Sequence, residues 1–313
     1  MKIDLQELRN RSEYINEKKH PTLDLLIWNY NQTCQFEKKW DEYTMMCRGL
    51  ITDLEGNIIA RPFKKFFNWG EDANVMIPTE MPIISEKLDG SLGIQYYYGD
   101  KVLIATRGSF ESDQAKYATG HMILEKYSKD DFMPGYTYLY EIIYPSNRIV
   151  IDYQGREELV LIAIINNETG SELVSLVEQE SNHLGFNFAR RFEVNDIQKL
   201  IKKMDTLSGN EEGYVFHWPT ENLRIKLKGK EYVRLHKLLT EFSTISIWEN
   251  LKEGNNLEEL LERVPDEFFD WVKNEKEKLE TQFKEIYQIA NKGLLDVEKL
   301  SSRKKQANKI LKK

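Results

Sequence analysis

Two textures of apolar residues succeed one another along the chain. Through roughly the first 240 residues, apolar positions come in short runs bounded by Gly, Asp and Asn. Several runs alternate with polar residues, the period of strands half-buried on one face. MCRGLITD and NIIARPF flank Leu54-Glu55-Gly56, and LGIQYYY and KVLIATR flank Gly99-Asp100, so each pair predicts a hairpin. Further strands are predicted over 136–143 (YTYLYEII), 147–153 (NRIVIDY), 158–165 (ELVLIAII), 213–218 (GYVFHW) and 223–228 (LRIKLK). Helical spacing occurs at 114–127, at 195–204 and, less regularly, at 172–183. After about residue 231 the strand patterns stop. Apolar residues then recur at three and four through LHKLLTEFSTISIWENL, LEELLERV and EFFDWVKNEKEKLETQFKEIYQIANK. The pattern predicts an α+β domain over 1–240 and an all-helical C-terminal domain over 241–313.

Composition narrows the classes. The chain has 313 residues, 41% hydrophobic and 30% charged, as expected of a soluble globular protein. Its longest apolar run, LVLIAII at 159–165, is too short to span a bilayer. The start, MKIDLQELRN, lacks an apolar stretch, which predicts no signal peptide. Two cysteines, Cys34 and Cys47, predict a reduced, cytoplasmic protein (host cytoplasm if viral). A net charge of −7 argues against a simple nucleic-acid coat protein. The charge is uneven, however, with basic clusters at RPFKK, at LRIKLKGK and in the tail from Ser301. Leu257 to Glu280 is acidic, which argues against phosphate contact there. An acidic protein with local basic stripes fits an enzyme acting on a polyanion.

Lys87, in EKLDGSLG, poses the chemical question. Alone, a lysine before a tight turn is most simply a solvated charge. A lysine that attacks phosphorus needs a free lone pair, which burial or nearby cations favour, and those cations also bind phosphate. LRIKLK supplies candidates: in a strand Arg224, Lys226 and Lys228 share one face and Leu223, Ile225 and Leu227 the other. An ordinary amphipathic strand would look the same. Glu141 shares a strand face with Thr137, Leu139 and Ile143, where a carboxylate is costly unless bonded or used. Glu212 precedes Gly213 at a strand start, and Arg48, Arg61, Lys64, Lys65 and Phe67 lie upstream. Gly108, after Arg107, allows close approach of a ligand or simply a turn.

The order of these features resembles the covalent nucleotidyltransferase superfamily of polynucleotide ligases and capping enzymes. That order is Arg48, Lys65, Lys87-x-Asp89-Gly90, Arg107-Gly108-Ser109, Glu141, Glu212-Gly213 and Lys226-x-Lys228. With ARPFKKFFN, YEIIYPSNRIVIDYQ, NNETG and YVRLH added, the chain is similar over about residues 40–237 to the phage-type RNA ligase 1 family. The resemblance implies an ATP-grasp-like nucleotidyltransferase domain of antiparallel sheets flanked by helices. It implies that Lys87 attacks the α-phosphate of ATP to form a lysyl-adenylate, with Lys226 and Lys228 on that phosphate. Arg48, Lys65 and Arg107 would contact the nucleotide, Phe67 would shape the pocket and Gly90 would allow the turn. Glu141 would bind the sugar, and Glu212, with Glu141, would place Mg²⁺ or Mn²⁺. The implied substrate is RNA with 5′-phosphate and 3′-hydroxyl ends, such as a nicked tRNA, joined by a monomer. Leu92 stands where many ligases have arginine, which disfavours DNA ligases and capping enzymes. A non-catalytic RNA-end-binding protein that kept the pocket is the alternative from another class.

Overall fold

The N-terminal residues wind into three sheets in the computed structural model, which describes residues 2–72, 75–123, 126–239, 244–252 and 269–298. The chain divides into two compact units, 1–240 and 241–313. In chain order the strands of the first unit are β1 (Ile15–Lys19), β2 (Leu25–Tyr30), β3 (Arg48–Asp53), β4 (Ile58–Ala60) and β5 (Phe67–Asn68). Then come β6 (Ile83–Lys87), β7 (Ser91–Tyr98), β8 (Lys101–Ala105), β9 (Tyr136–Ile143) and β10 (Glu158–Asn166). β11 (Asn187–Phe188), β12 (Arg191–Phe192), β13 (Gly213–Trp218) and β14 (Leu223–Lys228) complete them. The first sheet runs β1-β2-β3-β4, the second β11-β10-β9-β7-β8 and the third β12-β6-β13-β14-β5. Pairing is antiparallel except at two edges, where β11 and β5 join in parallel.

Alternation decides the layers. Ile27, Ile51 and Ala60 of the first sheet pack on Ile94, Tyr96 and Leu139 of the second. The opposite face of the second sheet, with Tyr138, Tyr140 and Ile142, is covered by Ala118, Ile123 and Val177 from helical segments. In the third sheet Ile84, Tyr214, Phe216, Trp218, Ile225 and Leu227 form a core with Leu200 and Met204. That leaves the alternate residues, Lys87, Gly213, Val215, Arg224, Lys226 and Lys228, on the other face. Glu141 is the one charged residue in β7 and β9, so its carboxylate is set in an uncharged surface.

One expected strand is absent. Residues 147–153 are not a strand: Pro145–Asn147 form a single 3₁₀ turn and the chain then runs irregularly. The backbone N–H groups of Val150 and Ile151 donate to the carboxylate of Asp89, both at 2.8 Å, in place of a neighbouring strand. Their side chains pack with Tyr232, which explains the apolar run that mimicked a strand. β1 and β2 carried no expectation; INEKK is polar at four of its five positions, all four exposed.

The described part of the second unit is helical, Thr244–Lys252 and Phe269–Glu298, with the rings of Trp248 and Phe283 6.2 Å apart. LEELLERV and the basic tail from Ser301 lie outside the described residues. No described helix is long and apolar enough to cross a membrane. Cys34 and Cys47 are buried and unbridged, and burial pushes the Cys34 thiol up to about 12.

Candidate active site

Lys87 is the last residue of β6 in the third sheet, and Ser91 opens β7 in the second. The chain crosses between sheets at Leu88-Asp89-Gly90, and the lysine stands at that crossing. Asp89 fixes it. Its Oδ2 accepts from Val150 and Ile151 N–H, and its Oδ1 accepts from the Tyr232 hydroxyl at 2.7 Å. The Asp89 N–H donates to the Tyr153 hydroxyl at 2.8 Å. Buried donors of this kind need such partners. Gly90 is required by proximity: a Cβ there would lie 2.6 Å from the Ile142 carbonyl oxygen and 3.1 Å from Glu141 Cγ.

Strand register gathers the charges. Gly213 of β13 pairs with Lys87 on one side and Lys228 on the other. Glu212, one residue earlier and buried, therefore lies between the two lysines. Its Oε1 is 2.8 Å from Lys87 Nζ and 3.4 Å from Lys228 Nζ. Gly213 has φ +149°, and a Cβ there would come within 1.9 Å of the Leu227 carbonyl oxygen, so this close junction admits glycine alone. From the second sheet, Glu141 Oε1 accepts from Gly90 N–H at 3.0 Å. Burial pushes the Glu141 carboxyl up to about 7, opposed by Lys87 and reinforced by Glu212. Glu141 is flanked by its strand partners Leu92 and Val160.

A second group forms at the edges of the first and third sheets. The buried Lys65 ammonium lies over the rings of Tyr30, Trp40 and Phe67 at 5.2–5.6 Å. Arg107 NH1 donates to the Tyr30 hydroxyl at 3.2 Å, and Arg48 lies over Phe66 at 5.2 Å. The two groups meet at β14: Lys226 shares a face with Lys228 and pairs with Asn68, the neighbour of Phe67. The expected residues thus fall into Lys87, Gly90, Glu141, Glu212 and Lys228 on one side and Arg48, Lys65, Phe67 and Arg107 on the other, with Lys226 between.

Arg224 departs from the expected row of three cations. It shares their face but is ion-paired with Glu172, and His217 Nδ1 lies 3.5 Å from the same carboxylate. Burial pushes His217 down to about 4, leaving the imidazole neutral at physiological pH. Sequence reasoning named Asp89 in its motif without giving it a role, and passed over Tyr232, Tyr30, Trp40 and Glu172. Asp89 and Tyr232 stood within EKLDGSLG and YVRLH, while Trp40 and Glu172 carried no local signal.

Among the described residues no group of three or more His, Cys, Asp or Glu converges as a metal cage. Glu212 is close enough to Glu141 to reinforce the upward shift of its carboxyl. One or two carboxylates completed by phosphate oxygens suit Mg²⁺, so this donor set fits a cation brought with a nucleotide.

A family profile described as RNA ligase matches residues 46–232. The chain belongs to the phage-type RNA ligase 1 family. A protein of Thermovibrio ammonificans, provisionally named an RNA ligase, is 28% identical over 272 residues, covering 81% of this chain and 68% of that protein. The RNA ligase of Rhodothermus phage RM378 is 25% identical over 290 residues, covering 69% of this chain. The match spans 65% of the phage protein's length, just under two thirds. An archaeal ATP-dependent RNA ligase shares the fold with TM-score 0.54 at 16% identity, covering 86% of this chain and 70% of that one.

Proposed function

We propose that the protein is an ATP-dependent RNA ligase working through a lysyl-adenylate on Lys87. The observation that carries this reading is the register that sets Lys87, Glu212 and Lys228 within ion-pair reach at the crossing between two sheets. In the first step Lys87 Nζ, having lost a proton, attacks the α-phosphorus of ATP. A P–N bond forms and the bond to the pyrophosphate oxygen breaks. Lys226 and Lys228 stabilise the charge that gathers on the α-phosphate. Arg48, Lys65 and Arg107 hold the departing phosphates, and Tyr30 positions the last two. Glu141, with one oxygen taken by Gly90 N–H, presents the other to the sugar. A divalent cation, when bound by Glu212 with Glu141 beside it, supplies further charge neutralisation. In the second step an oxygen of an RNA 5′-phosphate attacks the adenylate phosphorus and frees Lys87. In the third, an RNA 3′-hydroxyl attacks that 5′-phosphate and AMP leaves.

The same reading assigns the 1–240 unit the chemistry and includes repair of nicked RNA such as tRNA by a cytoplasmic monomer. The test is incubation with α-labelled ATP and Mg²⁺, then a denaturing gel. Label should remain on the wild-type protein and be absent from Lys87→Ala. A wild-type protein that takes up no covalent AMP refutes the mechanism.

A further inference from the structure

The second and third sheets carry Glu141 and the Lys226-x-Lys228 strand respectively. Chain crossings join them at one end, where Leu88 and Ala189 share a small core with Ile143 and Val160. A different joint stands farther along. After β10 the segment NNETGSELV, 166–174, folds back on its own strand, with the Leu173 N–H donating to the Ile164 carbonyl at 2.9 Å. Side chains from three places tie this segment to the third sheet. Asn222, between β13 and β14, donates from Nδ2 to the Gly170 carbonyl at 3.4 Å. Arg224 of β14 is ion-paired with Glu172, and Arg191 of β12 donates to the Val174 carbonyl at 2.9 Å. Arg61, just after β4 of the first sheet, donates to the Asn167 and Glu168 carbonyls at 3.3 and 3.0 Å. Gly170 has φ +75°, and a Cβ there would lie 2.8 Å from the Arg61 guanidinium carbon. Residues 166–174 therefore form a strap that touches all three sheets.

The Arg224–Glu172 pair is the buried part of the strap, with side chains only 8% and 6% exposed. Desolvation offsets most of the attraction in such a pair, so it stabilises little. A guanidinium fork and a carboxylate nevertheless meet in few orientations, so the pair fixes geometry. Arg224 is packed from above by the Phe63 ring at 4.2 Å. It stands two residues from Lys226 and four from Lys228 on one face of β14, so about 13 Å of strand separates it from Lys228 at the crossing end. The spacing of the two sheets is thereby set at both ends of the lysine strand. We infer that Glu172 is a positioning residue: through Arg224 it holds Lys226 and Lys228 at the distance from Glu141 that adenylylation requires, an inference that rests on the RNA ligase reading.

The test is single-turnover labelling of the full chain with α-labelled ATP and Mg²⁺. It reads the rate at saturating ATP, the ATP concentration for half-maximal rate and the final labelled fraction. Glu172→Ala should slow the saturating rate about ten- to hundredfold, and Glu172→Gln, which keeps the shape, should slow it less. Half-maximal ATP should stay within about threefold of wild type, because the loss lies in the transition state. The final labelled fraction should equal wild type. Combining Glu172→Ala with Arg224→Met should be no slower than the slower single variant, since the two act through one another. Arg191→Ala cuts an exposed tie of the same strap and should slow labelling roughly two- to fivefold. A wild-type rate in Glu172→Ala overturns the proposal, as do fully additive losses in the double variant. A raised half-maximal ATP at unchanged saturating rate also overturns it and assigns Glu172 to ATP binding. A lower final fraction at unchanged rate overturns it and leaves a purely structural role. Should Glu172→Ala not fold, Arg191→Ala decides, and a wild-type rate there overturns the proposal. A wild-type protein that takes up no covalent AMP would instead refute the ligase mechanism.

Discussion

Asp89 offers the sharpest test of how the nucleophile is held. Replacing it with alanine strands three donors: the Val150 and Ile151 N–H groups and the Tyr232 hydroxyl. Each buried donor left without an acceptor costs about 1–3 kcal/mol. The three share one acceptor, so their costs do not simply add, and a loss of about 3–6 kcal/mol is expected. That is a large part of the ~5–15 kcal/mol that holds a domain folded. Melting temperature should fall by roughly 10 °C or more. Asp89→Asn is the informative companion. Its amide oxygen can still serve both N–H groups while its NH₂ donates to the Tyr232 oxygen, so only the charge-assisted part is lost, about 1–2 kcal/mol. The assay pairs urea unfolding with single-turnover AMP labelling at a temperature where every variant is folded. Labelling should slow in the order wild type, Asp89→Asn, Asp89→Ala, because a loosened crossing moves Lys87 off its line of attack. The reasoning is refuted if Asp89→Ala unfolds within 1 kcal/mol of wild type and labels as fast.

Three further outcomes follow from the same geometry. Gly213→Ala should unfold at clearly lower urea, with β13–β14 pairing disturbed, since its Cβ would meet the Leu227 carbonyl oxygen and its φ is positive; a wild-type unfolding midpoint contradicts this. Glu141 holds its proton more tightly folded than unfolded, with its carboxyl up at about 7. Its contribution is complete below the ordinary carboxyl range, near ~4.3, and is lost as pH rises through about 7. Unfolding at pH 5.5 and 8 should therefore show Glu141→Gln losing about 1–3 kcal/mol less than wild type over that interval. Tyr30→Phe keeps the ring over Lys65 and removes the hydroxyl from Arg107, and should raise the ATP concentration for half-maximal labelling about 2–10-fold. An unchanged ATP dependence would remove Tyr30 from the site.

Legibility in the sequence followed the range of the physics. The alternation in LRIKLK placed Leu223, Ile225 and Leu227 in the core and Lys226 and Lys228 on the opposite face, because side-chain direction in a strand is a local property. The order of motifs pointed to Lys87, Glu141, Glu212 and Gly90, which the register brings into contact. Gly90 was expected for its turn, whereas the Ile142 carbonyl alongside excludes a side chain. Residues 147–153 misled because an apolar run does not reveal where its N–H groups go, and here a carboxylate some sixty residues earlier takes two of them. Arg224 read as a free cation for the same reason: Glu172, its counter-ion, comes from another sheet's loop. Contacts of this kind depend on tertiary packing and leave no period in the chain.

The crossing at Lys87 has a consequence beyond chemistry. Glu141 belongs to one sheet and Lys226 and Lys228 to another, with Lys87 where the chain crosses between them. In the proposed lysyl-adenylate, AMP bonded to Lys87 and contacted by Glu141 on one side and Lys226 and Lys228 on the other would bridge the two sheets while anchored covalently at one point. Free ligand dilutes away, but a covalently anchored one does not, so protein purified with AMP on Lys87 should keep a higher melting temperature after exhaustive dialysis. Pyrophosphate, by reversing the attachment, should return it to the lower value. A bimodal melt would then count the charged and uncharged molecules in a single sample.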